Sequence, residues 1–182
     1  MQSEKKQVLK AAEAIGEGVN PNIIDNFSEI MNTIFTTGKV PKDALGFNDE
    51  RMSATYGQAY RLYNTGKFAE ASYLFRLLVI LDSTDPKYYL GLGACFHMLK
   101  EYAAAVQVYM ACGVMDGNSP IPFFHASDCY TQLRDKASTL LMLEMAVKRA
   151  GDKPEYQVLK ERALLTIQNL KKEIGELGVK LE

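Results

Sequence analysis

Apolar positions in the central part of the chain, residues 88–115, have the spacing of two short helices joined by a tight turn. The same order of large, small and aromatic residues returns once before this segment and once after it, at the same interval along the chain. The middle copy holds the pattern in full, in the residues Tyr89, Leu92, Gly93, Phe96, Ala105 and Tyr109. The sequence therefore predicts three consecutive pairs of helices.

The interval between copies, about 34 residues, is typical of the tetratricopeptide repeat. Small residues recur where the two helices of a repeat approach each other, and aromatic residues recur where the next repeat stacks. We predict an all-α fold with three tetratricopeptide helix pairs in a short solenoid. The array covers residues 49–152, with repeats at about 52–85, 86–119 and 120–152.

Further helices are predicted on both sides of the array. Residues 1–48 contain one helix at 3–17 and a second at about 22–37 with a broad apolar stripe. Such a stripe needs a partner, so the second helix either caps the first repeat or also forms a subunit contact. The candidate dimerisation residues on this stripe are Ile23, Ile24, Phe27, Ile30, Met31 and Ile34. Residues 153–182 are predicted to form a capping helix and tail, because end repeats need a polar outer surface.

The charge balance narrows the range of partners. A formal net charge of -1 argues against a basic nucleic-acid surface. The longest apolar run, residues 77–81, is far too short to cross a bilayer, and the N-terminus does not have the pattern of a signal peptide. We expect a cytoplasmic protein that binds neither nucleic acid nor the membrane directly.

The three cysteines follow the repeat, because Cys95, Cys112 and Cys129 lie at equal intervals of half the period. An odd number of cysteines without a C-x-x-C pair suggests neither a disulfide framework nor a zinc site. We predict buried, reduced thiols.

The remaining candidates for chemistry are weak. Gly91 and Gly93 fall inside a predicted helix, whereas phosphate-binding glycines lie between a strand and a helix. His97 and His125 have no partner at metal-ligand or catalytic spacing. We predict no enzyme activity, no cofactor and no metal.

The inner face of the array is the candidate binding site. In a tetratricopeptide array the first helix of each pair lines a concave surface. That face is rich in tyrosine, which suits peptide binding because each ring offers a large contact area and one polar group. Some of these tyrosines could instead belong to the core. The candidate groove residues are Tyr56, Tyr60, Tyr63, Leu90, Ala94, His97, Phe124 and Asp128.

One known kind of groove is excluded. Co-chaperones with these repeats hold acidic C-termini in a clamp of lysine, asparagine and arginine side chains. The corresponding positions here are Tyr56, Tyr60, Gly91, Ile121 and His125. The sequence therefore has no carboxylate clamp.

Three segments together resemble a known family. GKFAEASYLFRLLVILD, YYLGLGACFHMLKEYAAAVQVYMACGVMD and PFFHASDCYTQL are similar to the class II chaperones of bacterial type III secretion systems. The resemblance runs from about residue 45 to residue 156. It implies a chaperone that binds an extended N-terminal segment of hydrophobic translocator proteins in its groove, keeps them soluble and secretion-competent, and forms homodimers through N-terminal helices.

A second reading stays open at this stage. A tetratricopeptide scaffold or adaptor that assembles a secretion complex or another multiprotein complex would have the same repeats. The two functions differ in the client, because a chaperone solubilises a membrane-active partner whereas a scaffold joins soluble ones.

Overall fold

The computed structural model describes residues 41–44 and 47–176, and every regular element in this part of the chain is helical. The all-α fold class predicted from the sequence is confirmed. The predicted helices at 3–17 and 22–37 and the tail at 177–182 lie outside the described residues. So do all six candidate dimerisation residues, Ile23, Ile24, Phe27, Ile30, Met31 and Ile34.

The chain divides into two compact units, Met1–Leu99 and Lys100–Glu182. The described part of the first unit contains helices α1 (Pro41–Ala44), α2 (Asp49–Asn64), α3 (Phe68–Leu81) and α4 (Pro86–Met98). The second unit contains α5 (Tyr102–Met115), α6 (Ile121–Gln132), α7 (Lys136–Ala150), a 3-10 turn (Pro154–Tyr156) and α8 (Gln157–Glu176).

Side-chain caps define where several of these helices begin. Asn48 Oδ1 accepts a hydrogen bond from the backbone N–H of Arg51 at 2.9 Å and so caps α2. Asp85 Oδ1 accepts from the N–H of Lys87 at 3.0 Å, and α4 begins at Pro86, where a missing N–H leaves no hydrogen bond unmade. Short polar side chains at these positions satisfy N–H groups that have no partner within the helix.

The turns within the repeats share one backbone conformation. Gly66, Lys100 and Arg134 have φ angles of 79°, 61° and 59°, in the left-handed region, and they occupy the same position in successive repeats. The first turn is closed by the N–H of Lys67 donating to the carbonyl of Leu62 at 2.9 Å, and the third by an equivalent bond of 3.0 Å. The turn geometry therefore repeats even where glycine is replaced by a basic residue.

The core of each unit lies between its helices. In the first unit Leu74, Leu78 and Leu81 of α3 are fully buried. In the second unit a cluster between α7 and α8 is formed by Leu140, Leu143, Ala163 and Ile167.

Tyr88 and Tyr89 differ from the repeat pattern in their burial. The pattern placed Tyr89 in the core, but Tyr89 is half-buried, whereas Tyr88 is only 4% exposed. Tyr88 is buried because its ring packs against Tyr56, with ring centroids 6.0 Å apart.

Two glycines allow aromatic rings to reach a helix backbone. A Cβ atom built on Gly91 would overlap the ring of Phe75, and one built on Gly113 would lie 2.7 Å from the ring of Phe123. Gly91 is therefore explained by close packing of α3 against α4, which agrees with the rejection of a phosphate loop.

We predict that Gly91→Ala lowers the free energy of unfolding by about 1–3 kcal/mol, because the added methyl group forces the buried ring of Phe75 out of place. Urea unfolding followed by circular dichroism measures this change. The control is Gly175→Ala in α8, where no described atom lies within 4 Å of the new methyl group and stability should be unchanged or slightly raised. Equal effects of the two substitutions would contradict the packing account.

Candidate functional site

The candidate groove residues all lie on the first helix of a predicted pair. The two units divide the set, and each part is described within its own unit. The first unit holds Tyr56, Tyr60 and Tyr63 on α2 and Leu90, Ala94 and His97 on α4, and the second holds Phe124 and Asp128 on α6.

Tyr56 is the centre of an aromatic cluster. Its ring stacks on that of Tyr60 with a centroid distance of 6.5 Å and an interplanar angle of 16°. The ring of Phe75 meets it edge-on at 5.9 Å, and Tyr88 lies at 6.0 Å. Tyr56 is half-buried, whereas Tyr60 remains 54% exposed. We call Tyr56 and Tyr60 the tyrosine platform: core residues support one end of it and the other end faces solvent.

Tyr63 packs against a neighbouring helix of the first unit. Its ring packs edge-on against Phe68 at the start of α3, with centroids 5.3 Å apart. The residue is half-buried, and this burial raises the pKa of its hydroxyl. Tyr63 therefore helps to join α2 to α3 as well as facing outward.

The α4 residues of the set share one helix face. Leu90, Ala94 and His97 follow one another at spacings of four and three residues, and all three are half-buried. This arrangement leaves a partly apolar strip open on α4.

Lys87 stands over the aromatic cluster at the start of α4. Its ammonium group lies 4.9 Å from the ring centre of Tyr88 and 5.6 Å from that of Tyr56. It also pairs with the carboxylate of Asp85, and that hydrogen bond raises the pKa of Lys87. A cation over an aromatic face is attracted by the negative charge density of the ring. Lys87 therefore contributes charge to the surroundings of the platform without being an isolated cation.

A polar cavity of about 330 Å³ opens beside the platform in the first unit. Tyr56, Tyr88 and Lys87 form part of its wall, together with Lys42 and Asp82. Sequence reasoning missed this cavity because its residues come from three separate segments of the chain. The only available signal was the presence of oppositely charged residues at successive helix ends.

Lys42 joins three segments around this cavity. Its ammonium lies 3.1 Å from Asp82 Oδ2 and 3.3 Å from Asp49 Oδ1, and these hydrogen bonds raise the pKa of Lys42. Asp82 Oδ1 also accepts from the hydroxyl of Thr84 at 2.6 Å, which is the main reason that the pKa of Asp82 is lowered. These bonds attach α1 to the start of α2 and to the turn between α3 and α4.

The second unit presents its two candidate residues differently. Phe124 is half-buried and packs against the apolar cluster between α7 and α8, whereas Asp128 is exposed. Next to Phe124, the ring of His125 stacks on the buried Tyr109 with centroids 5.4 Å apart. Phe124 therefore has a structural role that its position in the repeat did not reveal.

The cysteines are buried and free, as predicted. Burial raises the pKa of Cys95 to about 12 and that of Cys129 to about 11. Thiols with such values stay protonated at neutral pH, whereas the thiolate is the form that attacks electrophiles and binds metals.

The described residues lack two features that would indicate other functions. They contain no group of three or more histidine, cysteine, aspartate or glutamate side chains placed to hold a metal ion. Among the helices described, none is long and apolar enough to span a membrane.

Known proteins resemble this chain in sequence. A tetratricopeptide repeat family model matches residues 54–85 and 86–113. The chain is 33% identical over 129 residues to the low calcium response locus protein H of Yersinia pseudotuberculosis, which covers 70% of this chain and 77% of the relative.

Solved structures show the same similarity. PcrH of Pseudomonas aeruginosa, solved with the chaperone-binding region of PopD, is 31% identical with a TM-score of 0.68, covering 70% of this chain and 96% of that one. The type III secretion chaperone SycD of Yersinia enterocolitica, solved with a peptide of the translocator YopD, is 30% identical with a TM-score of 0.67, covering 69% and 96%. SycD has also been solved as an alternative dimer, at 30% identity and a TM-score of 0.66, covering 69% and 96%.

Proposed function

The chain belongs to the family of tetratricopeptide-repeat chaperones of type III secretion translocators, and we propose that it binds hydrophobic translocator proteins through the inner faces of its repeats. By covering an apolar segment of the client, it would keep the translocator soluble and competent for secretion. We place this activity in the bacterial cytoplasm, before export.

The tyrosine platform is the observation that carries this proposal. The exposed ring of Tyr60 stacks on Tyr56, and Tyr56 also contacts the buried rings of Phe75 and Tyr88. An aromatic surface of this kind can cover an apolar or proline side chain at little entropic cost, because its rings are already oriented. Tyrosine is also among the residues that dominate binding energy at protein interfaces.

The client is expected to bind as an extended segment. Relatives with this fold have been solved with short translocator segments. On α4 of this chain, Leu90, Ala94 and His97 offer a half-buried strip next to which such a segment could lie. A few apolar anchors on an extended chain give an affinity that still allows release at the export apparatus.

Co-expression tests the function directly. The chain is produced together with each hydrophobic translocator encoded beside its gene, and the soluble fraction is measured with and without it. The chaperone function is supported if a translocator becomes soluble only in the presence of this chain and if a peptide from its N-terminal region displaces it from the chain. Capture of soluble secretion components, with every translocator left insoluble, would support the scaffold function instead.

We predict that Tyr60→Ala raises the Kd for the translocator peptide about tenfold or more, because it removes the exposed half of the platform. Its free energy of unfolding should change by less than about 1 kcal/mol, since the ring is 54% exposed. Isothermal titration calorimetry measures the affinity, and urea unfolding measures the stability.

Leu141→Ala in α7 is the matched control for this substitution. Leu141 is also 54% exposed but does not belong to the candidate groove. Its loss should leave the Kd unchanged. Weakening of the same size in both variants would mean that the effect of Tyr60 is nonspecific.

We also propose that the chain forms a homodimer through the apolar stripe at residues 22–37. Ile30→Asp, which places a charge in the middle of this stripe, should convert the dimer to a monomer in light scattering coupled to size-exclusion chromatography. Peptide affinity should be preserved, because the tyrosine platform is on a different segment. A wild-type protein that elutes as a monomer would contradict this proposal.

A further inference from the structure

Gly57 is an exposed glycine in the middle of helix α2. Glycine in a helix interior destabilises the helix by about 1 kcal/mol relative to alanine, because it loses more backbone freedom on folding. Alanine would fit the helix geometry at this position and would make the helix more stable than glycine does. An explanation is therefore needed from packing or from binding.

Packing within the chain does not provide one. Gly91 and Gly113 are each required by an aromatic ring, Phe75 or Phe123, that lies against the helix backbone. At Gly57 no described atom comes within 4 Å of where a Cβ would be. The space above Gly57 is open to solvent, so the missing side chain serves nothing that the described part of the chain shows.

The open space adjoins the tyrosine platform. Along the helix surface, Gly57 lies one turn from Ser53 and one turn from Tyr60. Tyr60 is the most exposed aromatic residue of the platform, and Ser53 is small and exposed. Together they leave a shallow notch at Gly57, with a large aromatic ring on one side.

We propose that Gly57 is a client-contact residue, at which the main chain of the bound translocator segment lies directly against the backbone of α2 beside the ring of Tyr60. This inference rests on the proposed chaperone function and adds a position that determines affinity. Absence of a Cβ is the usual condition for close approach of another backbone. At that distance the Cα–H of Gly57 can donate a weak hydrogen bond to a client carbonyl, while Tyr60 covers the neighbouring client side chain.

The inference predicts opposite effects on stability and on affinity. Gly57→Ala should raise the midpoint of urea unfolding, because alanine favours the helix. The same substitution should raise the Kd for the translocator peptide about fivefold or more, because the methyl group fills the notch. Gly57→Leu should weaken binding further. Calorimetric titration and unfolding are measured on the full chain for each variant.

The controls separate this inference from simpler explanations. Gly175→Ala, at an exposed glycine of α8 with equally open surroundings, should leave the Kd unchanged. An unchanged Kd in both Gly57 variants would overturn the inference. A loss of stability in Gly57→Ala would also overturn it, because the notch would then pack against this chain. A change in the oligomeric mass in solution would do the same, because the notch would then face a second copy of the chain.

The proposed function itself is judged by the wild-type protein. If the wild-type chain binds no translocator peptide, the chaperone function fails. If it binds and Gly57→Ala binds equally well, only the role of Gly57 fails.

Discussion

The contact between the ring of Phe75 and the backbone of Gly91 determines how the first unit is built. Without a side chain at Gly91, α3 and α4 come close enough for the ring to fill the space between them. The same ring also contacts Tyr56, and Tyr56 stacks in turn on Tyr60. The packing of one large ring, Phe75, against one glycine, Gly91, thus orients the aromatic surface that we propose as the client site. The second unit contains the same kind of contact, between the ring of Phe123 and Gly113.

Charge around the platform is organised locally, in pairs. Lys87 pairs with Asp85 while its ammonium lies over two tyrosine rings, and Lys42 pairs with Asp82 and Asp49. Each of these cations therefore has a carboxylate close to it that compensates its positive charge locally. A nearly neutral aromatic surface suits a hydrophobic client better than the basic clamp used for acidic C-termini.

The sequence predicted the helices well because their signals are local and repeated. The apolar period and the tight turn that recurs in each repeat predict the helix pairs from α2 to α7, and the need for a polar end surface predicts α8. Burial of individual side chains was harder to predict, because it depends on partners from other helices. Tyr88 is buried by Tyr56, and Phe124 packs on residues of α7 and α8. The cavity lined by Lys42 and Asp82 depends on segments that are far apart in the sequence, and no period links them.

Burial of the three thiols has a practical consequence for studying client capture. The raised pKa values of Cys95 and Cys129, and the burial of Cys112, make all three poor targets for maleimide dyes at neutral pH. A single cysteine introduced at an exposed helix position such as Glu70 or Lys148 would therefore be labelled selectively in the otherwise native sequence. Spectroscopic probes could then follow the two units during binding and release without first removing cysteines that fill the core.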